Sequence, residues 1–172
     1  MTPRLLAALS GNKRMGSEQI RMIFSLGTSN RSLQEFIELL KNYGLEVVVD
    51  VRRFPSSQFE HFKRENLARF LKSEGIAYIY LGEELGGYRR EGYQNFTASS
   101  EFKVGLSRIE EIASEKKTVF ICAERFAWRC HRRFIAQELE KRGWQVRHII
   151  DREREWIPKI LSGKKGNGKK EG

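Results

Sequence analysis

Short apolar runs alternate along this chain with longer stretches in which apolar residues return every three or four positions. The first rhythm reads as buried strands, the second as amphipathic helices. Met22-Ile-Phe-Ser-Leu26 is the first strand, stopped by Gly27. Leu33, Phe36, Ile37, Leu40 and Tyr43 then follow helical spacing behind Ser32-Leu-Gln-Glu35. That opening is a capping box, in which the serine accepts from the N3 amide while the glutamate reaches back. Gly44 is placed to end the helix. Val47-Val-Val-Asp-Val51 is the second strand, and a helix carrying Leu67, Phe70 and Leu71 runs to Gly75. Ile76–Leu81 is the third strand, followed by a long connection through Gly86-Gly87 and Tyr93. Phe102, Leu106, Ile109 and Ala113 mark the third helix, and Thr118–Cys122 the fourth strand. Arg129–Arg142 is the fourth helix, with Ile135 and Leu139 inward; Gln145–Ile150 is the fifth strand, with a short basic helix expected after it.

Strands alternating with helices imply right-handed βαβ units. Near-continuous apolar strands imply burial on both faces. The expected fold is an α/β three-layer α/β/α sandwich with a mainly parallel sheet of about five strands, flavodoxin-like or Rossmann-like. Residues 1–20 lack a period and include Gly11, Asn12 and Gly16, so they read as an irregular leader. Residues 21–162 read as a single α/β domain. Residues 163–172, Gly-Lys-Lys-Gly-Asn-Gly-Lys-Lys-Glu-Gly, read as a disordered basic tail. At 172 residues the chain suits one well-buried core.

Composition adds a charge question. The net charge is +10, with a net of +2 in the first eighteen residues and +3 in the last ten. Half of the excess therefore lies in the ends and half in the body. This charge serves solubility or loose attraction to polyanions, and leaves room for a nucleic-acid face. No apolar run is long enough to span a bilayer, and the apolar patch Leu5–Leu9 is too short for a signal-peptide core. Two cysteines without an export signal point to the cytoplasm, as thiols or ligands rather than a disulfide.

The chemistry gathers after the strands. Gly27-Thr28-Ser29-Asn30-Arg31 follows the first, Asp50-Val51-Arg52-Arg53-Phe54-Pro55-Ser56 closes the second, and Gly82-Glu83-Glu84-Leu85-Gly86-Gly87 follows the third. Cys122-Ala-Glu-Arg-Phe-Ala-Trp-Arg-Cys130-His131-Arg132 follows the fourth. In a parallel sheet these ends share the ligand-binding edge, so the four segments are expected to form one pocket. Asp50 is a general base or metal ligand, or else a structural partner of Arg52 or Arg132, because a carboxylate ending a run of valines must be paired. Arg31, Arg52, Arg53, Arg129 and Arg132 offer planar forks for phosphate or carboxylate. Arg52 and Arg132 are read as ligand-binding, and Arg53 as paired with one of Glu83, Glu84 and Glu124. Thr28 and Ser29 belong to the same edge.

Cys130 and His131 stand near the start of the fourth helix, where a thiol can be acidified. Cys122 ends a strand and reads more readily as core. Cys122, Cys130 and His131 could also give three metal ligands, with His61 or Asp50 as a fourth. However, the seven-residue gap between the cysteines lacks the tight spacing of a zinc knuckle. A phosphatase-type loop needs an arginine where Trp128 stands, so that reading is set aside. Gly86 and Gly87 let a backbone approach a ligand, or simply make a turn. Tyr88, Tyr93, Phe96, Phe126 and Trp128 lie in the flanking loops, where they could stack on a base or pack the loops down.

Ser25-Leu-Gly-Thr-Ser-Asn-Arg-Ser-Leu33, Asp50-Val-Arg-Arg-Phe-Pro55, Leu85-Gly-Gly87, Cys122-Ala-Glu124 and Cys130-His-Arg132 together resemble the domain of unknown function 488 family. The resemblance runs in motif order over roughly residues 22 to 150, and the closing Cys-Ala-Glu and Cys-His-Arg pair is its most specific part. Thr28 departs from it, standing where many relatives carry His. The resemblance implies a small α/β domain of prokaryotic type and a shared site at the matched positions, but no reaction and no cofactor.

The expected function is an enzyme or enzyme-like pocket protein for an anionic ligand: phosphate-bearing, nucleotide or nucleic acid. Arg31, Arg52 and Arg132 would hold the charge. Cys130 would be the nucleophile or redox thiol, with Asp50, Glu124 or His131 handling protons. The alternative is a non-catalytic nucleic-acid-binding module using the basic surface and tails.

Overall fold

The computed structural model describes residues 20–159. The expected leader, apart from Ile20, and the whole basic tail lie outside the described residues. A six-stranded sheet is built from β1 (Arg21–Gly27), β2 (Val47–Asp50), β3 (Ala77–Tyr80), β4 (Thr118–Cys122), β5 (Trp144–Ile149) and β6 (Glu155–Trp156). Its order is β3-β2-β4-β1-β5-β6. The first five strands run parallel, and β6 pairs antiparallel with β5. The short basic helix expected after the fifth strand is thus corrected to a hairpin. Asp151 Oδ1 accepts from the amides of Glu153 and Arg154, which turns the chain back. Nε and Nη2 of Arg147 then donate to the Glu155 carboxylate at 3.0 and 2.7 Å.

The helices are α1 (Leu33–Asn42), α2 (Arg64–Ser73), α3 (Gly82–Leu85), α4 (Tyr93–Phe96), α5 (Ser100–Ala113) and α6 (Arg132–Lys141). Successive strand residues point to opposite faces, so the sheet feeds two cores. Phe36, Leu39, Leu40, Leu67 and Leu71 from α1 and α2 pack with Phe24, Val48, Val119 and Ile121. Phe102, Leu106, Ile109, Ile135 and Leu139 from α5 and α6 pack with Ile23, Val49, Phe120 and Val146. The three-layer α/β sandwich is therefore present. Its order differs from both doubly wound orders, 3-2-1-4-5-6 and 2-1-3-4-5. The chain leaves β4 toward one face and its neighbours β1 and β2 toward the other, which makes the C-terminal ends of these strands the switch point where ligands bind in such sheets.

Two local departures shape that edge. The long connection after β3 is partly helical, carrying α3 and α4. The last long helix starts at Arg132 rather than Arg129, because Ala127–Arg129 forms a 3-10 turn and Cys130 is extended, with φ −144°. The thiol therefore precedes the helix and is held by the loop. Ser32 caps α1 as expected, accepting from the Glu35 amide at 3.0 Å, while the Glu35 carboxylate turns to Arg31 instead of completing the box.

The loop after β1 is stitched to the loop after β4. The Thr28 amide donates to the Cys122 carbonyl at 2.8 Å and the Ser29 amide to the Ala123 carbonyl at 2.9 Å. Gly27 makes this possible, since a Cβ there would sit 2.0 Å from the Glu124 carbonyl oxygen. Gly75 ends α2 at φ +76° with nothing within 4 Å of an added Cβ. Gly75→Ala should therefore lower stability by only about 1 kcal/mol, from backbone strain. Gly27→Ala should lower it by about 3 kcal/mol or more, because backbone must move. Urea midpoints of the two variants check this, and equal midpoints would contradict the stitched-loop reading.

Candidate functional site

Cys122 closes β4 and is buried, since it continues a strand whose five residues are all buried. The extended Cys130 brings its Sγ to 3.1 Å from Cys122 Sγ. Both are free thiols. Burial raises Cys122 well above the usual thiol range. Cys130 moves the other way, down to about 6. The hydrogen bond donated by Cys122 is the main cause, and Arg132 adds its charge and its amide, 3.4 Å from Cys130 Sγ, while burial opposes both. These directions favour Cys122 as the donor and Cys130 as the acceptor of the bond between the sulfurs.

Arg132, fully buried, holds this arrangement. Its Nε donates to Cys122 Sγ at 2.9 Å and its Nη1 to Ser25 Oγ at 2.7 Å. Nη2 donates to the carbonyls of Glu124 and Arg125. Ser25 Oγ lies 2.6 Å from His148 Nδ1, and the His148 ring stacks on Trp156 with centroids 5.1 Å apart. His148 is neutral, its pKa lowered to about 3 by burial and by Arg132. Arg132 has no carboxylate partner among the described residues.

His131 joins the thiols: one ring nitrogen and the two sulfurs all lie within 4.8 Å of one another. Its Nε2 donates to the Val51 carbonyl at 2.9 Å, which leaves the Nδ1 lone pair unused. Burial lowers its pKa and keeps it neutral. These three donors could hold a metal, but His61 and Asp50 do not complete the set. His61 donates to the Arg31 carbonyl at 2.9 Å, and Asp50 is engaged elsewhere. Two thiolates on tetrahedral zinc stand about 3.8 Å apart, given Zn–S bonds of about 2.3 Å. The 3.1 Å separation and the guanidinium on Cys122 fit a thiol–thiolate pair better.

A cleft of about 700 Å³ opens over these groups. Its wall carries Cys122, Cys130, His131, Glu124 and Gly87, together with Arg52, Arg53, Arg89, Arg129 and Arg133. The loops after β2, α3 and β4 thus build the pocket, whereas the expected contribution of the loop after β1 is corrected. Thr28 and Ser29 are used in the stitch to β4, and Arg31, buried, donates to the carbonyls of Gly27 and Ile150 at 2.8 Å each. Gly86 is packed so closely that a Cβ would meet the Gly82 carbonyl at 2.3 Å. Arg132 lies under the thiols rather than on the wall.

Asp50 is fully buried and receives three bonds from Arg52: the amide at 3.1 Å, Nε at 2.9 Å and Nη2 at 2.8 Å. Tyr78 donates a further one. Burial and the Asp50 charge raise Tyr78 far above the usual phenol range, so it stays a donor. Between the two readings of Asp50, this geometry is the ion-pair one. Arg53 has no carboxylate partner among the described residues, in contrast to the pairing expected from sequence. His148, Tyr78, Arg89 and Arg133 went unrecognised in the sequence, and Ser25 entered only as the first residue of a family motif. Ser25, a lone hydroxyl inside an apolar strand, was the signal that a buried partner existed.

A family model described as Domain of unknown function DUF488 matches residues 32–139. No curated protein compared with the chain matches it. The matched span takes in both cysteines, His131, Arg132 and Asp50, and leaves out Thr28, Ser29 and Arg31.

Alkylation followed against pH should show Cys130 reacting with a midpoint near about 6, while Cys122 stays inert. Cys122→Ala removes the donated hydrogen bond and should raise that midpoint; Cys122→Ser, which keeps a donor, should raise it less. A wild-type midpoint near the ~8.5 of a free thiol would sink the assignment. Asp50→Asn should lower stability by about 3 kcal/mol by leaving Arg52 buried and unpaired, read from urea unfolding. An Asp50→Asn variant as stable as wild type would return Asp50 to the general-base reading.

Proposed function

The chain belongs to the DUF488 family, which its matching model describes by sequence and not by a reaction, and from that premise we propose a thiol-dependent enzyme for a phosphate-bearing anion. One observation carries this reading: a thiolate-disposed Cys130 on the wall of a cleft that holds five arginines against a single carboxylate, Glu124. Arg53, Arg129 and Arg133 supply charge not committed to any carboxylate among the described residues. They would neutralise an incoming anion and orient it over the sulfur.

The chemistry proposed is displacement. Cys130 sulfur forms a bond to the electrophilic atom, and the bond from that atom to its leaving group breaks. Water then attacks the same atom, the bond from that atom to Cys130 sulfur breaks and returns the thiolate, and the water proton passes to Nδ1 of His131, which is neutral and has its other nitrogen fixed by Val51. Glu124 is the second proton acceptor on the wall. Cys122 remains a thiol and holds the thiolate in place. Asp50 acts at one remove, through Arg52.

Pyrophosphate should slow alkylation of Cys130. Replacing Arg53, Arg129 and Arg133 together by Ala should abolish that protection without moving the alkylation midpoint by more than a few tenths of a unit. Chelator should change neither result. Alkylation that begins only after chelator is added would replace the thiolate reading with a metal site.

A further inference from the structure

Exposed large apolar side chains are few among the described residues: Ile20, Phe54, Tyr88, Val104, Trp128 and Ile157. All three aromatics in this set line the one cleft that carries Cys130. An aromatic ring left in water forgoes a large burial gain, so three of them at one site call for an occupant. Tyr88 is 84% exposed and held at φ +60°, a conformation that bulky residues rarely adopt and that concentrates at ligand clamps. Trp128 is propped rather than mobile: Phe126 stacks on it with centroids 4.9 Å apart and planes 23° apart, and Trp156 meets it edge-on at 5.1 Å. Even so, it stays 42% exposed.

The rings form two stations on different loops. Phe54 and Tyr88, 6.1 Å apart, follow β2 and α3; Trp128 follows β4. Each station has its own cation. Arg53 lies over Phe54 at 5.7 Å and donates to the Tyr88 carbonyl at 3.3 Å. Arg129 lies 6.0 Å over Phe126, which is stacked on Trp128. A small inorganic anion would use the arginines and leave the rings idle. An apolar ligand would use the rings and strand the arginines. Flat π faces interleaved with fixed cations match a chain whose bases and phosphates alternate.

We propose that the cleft binds a single-stranded nucleic-acid segment, with bases stacked on Phe54, Tyr88 and Trp128 and phosphates held by Arg53, Arg129 and Arg133. This rests on the anion-binding part of the proposed function and names its substrate class. Stacking accepts any base, so binding is tolerant of sequence and weakens steeply with salt.

The test is fluorescence anisotropy on the full-length chain with three probes: a labelled short oligothymidylate, an abasic strand with the same number of phosphates, and a polyglutamate peptide. Any contribution from the chain's terminal lysines is common to both strands and cancels in their ratio. Oligothymidylate should bind at least about 10-fold tighter than the abasic strand. Tyr88→Ala and Trp128→Ala should each weaken oligothymidylate about 5- to 100-fold and leave the abasic strand unchanged. Trp128 packs on Trp156, so its variant can fail to fold; Tyr88, almost wholly exposed, keeps the test decisive. Equal binding of the two strands, or polyglutamate binding as tightly as oligothymidylate, overturns the nucleic-acid assignment. If pyrophosphate still protects Cys130 in that case, the anion reading survives alone. If no anion binds or protects, both fall.

Discussion

The site depends on a buried cation that has no carboxylate partner among the described residues. Arg132 is sealed from solvent among Ser25, Cys122 and the carbonyls of Glu124 and Arg125. A guanidinium taken out of water is tolerated only when its donors are engaged and some negative charge stands near. The donors tie together β1, the end of β4, the loop after it and the first residue of α6. Among the described residues, the groups beside it able to carry negative charge are the sulfurs of Cys122 and Cys130. Fold and reactivity are therefore solved by one residue: the contacts that hold the loop in shape also make a thiolate favourable beside it.

The strand order places that residue. Because β4 leaves toward one face while its neighbours β1 and β2 leave toward the other, room is left above the sheet between the ends of β2 and β4, beside the stitched loops of β1 and β4. The close approach at Gly27 draws the two loops together on one side of this gap. The remaining space belongs to the loops after β2, α3 and β4, which explains why the first loop, rich in polar residues, does not reach the cleft.

The layers were legible in the sequence because burial writes itself as period. Five of six strands, the four long helices, Ser32 as a cap and the convergence of chemistry on the strand ends all follow from local pattern. Strand order does not, since every parallel order is compatible with the same alternation. The hairpin after β5 was hidden because Asp151 and the run Arg152-Glu153-Arg154 carry polarity but no period. Arg31, Arg52 and Arg132 look alike as letters, and only the fold separates a strut, an ion-pair partner and the support of a thiolate. Arg53, read as paired, stands on the cleft wall with no carboxylate partner among the described residues. Ser25 and His148, 123 residues apart, meet only through the β1–β5 register.

Arg132 has a further consequence for a capped Cys130. When Cys130 is capped by a neutral group its sulfur can no longer carry charge, and the buried guanidinium loses a nearby anion. The substituted form is then electrostatically out of balance, while the free thiolate restores it. A neutral cap on Cys130 is thus opposed by the same contacts that hold the loop in shape.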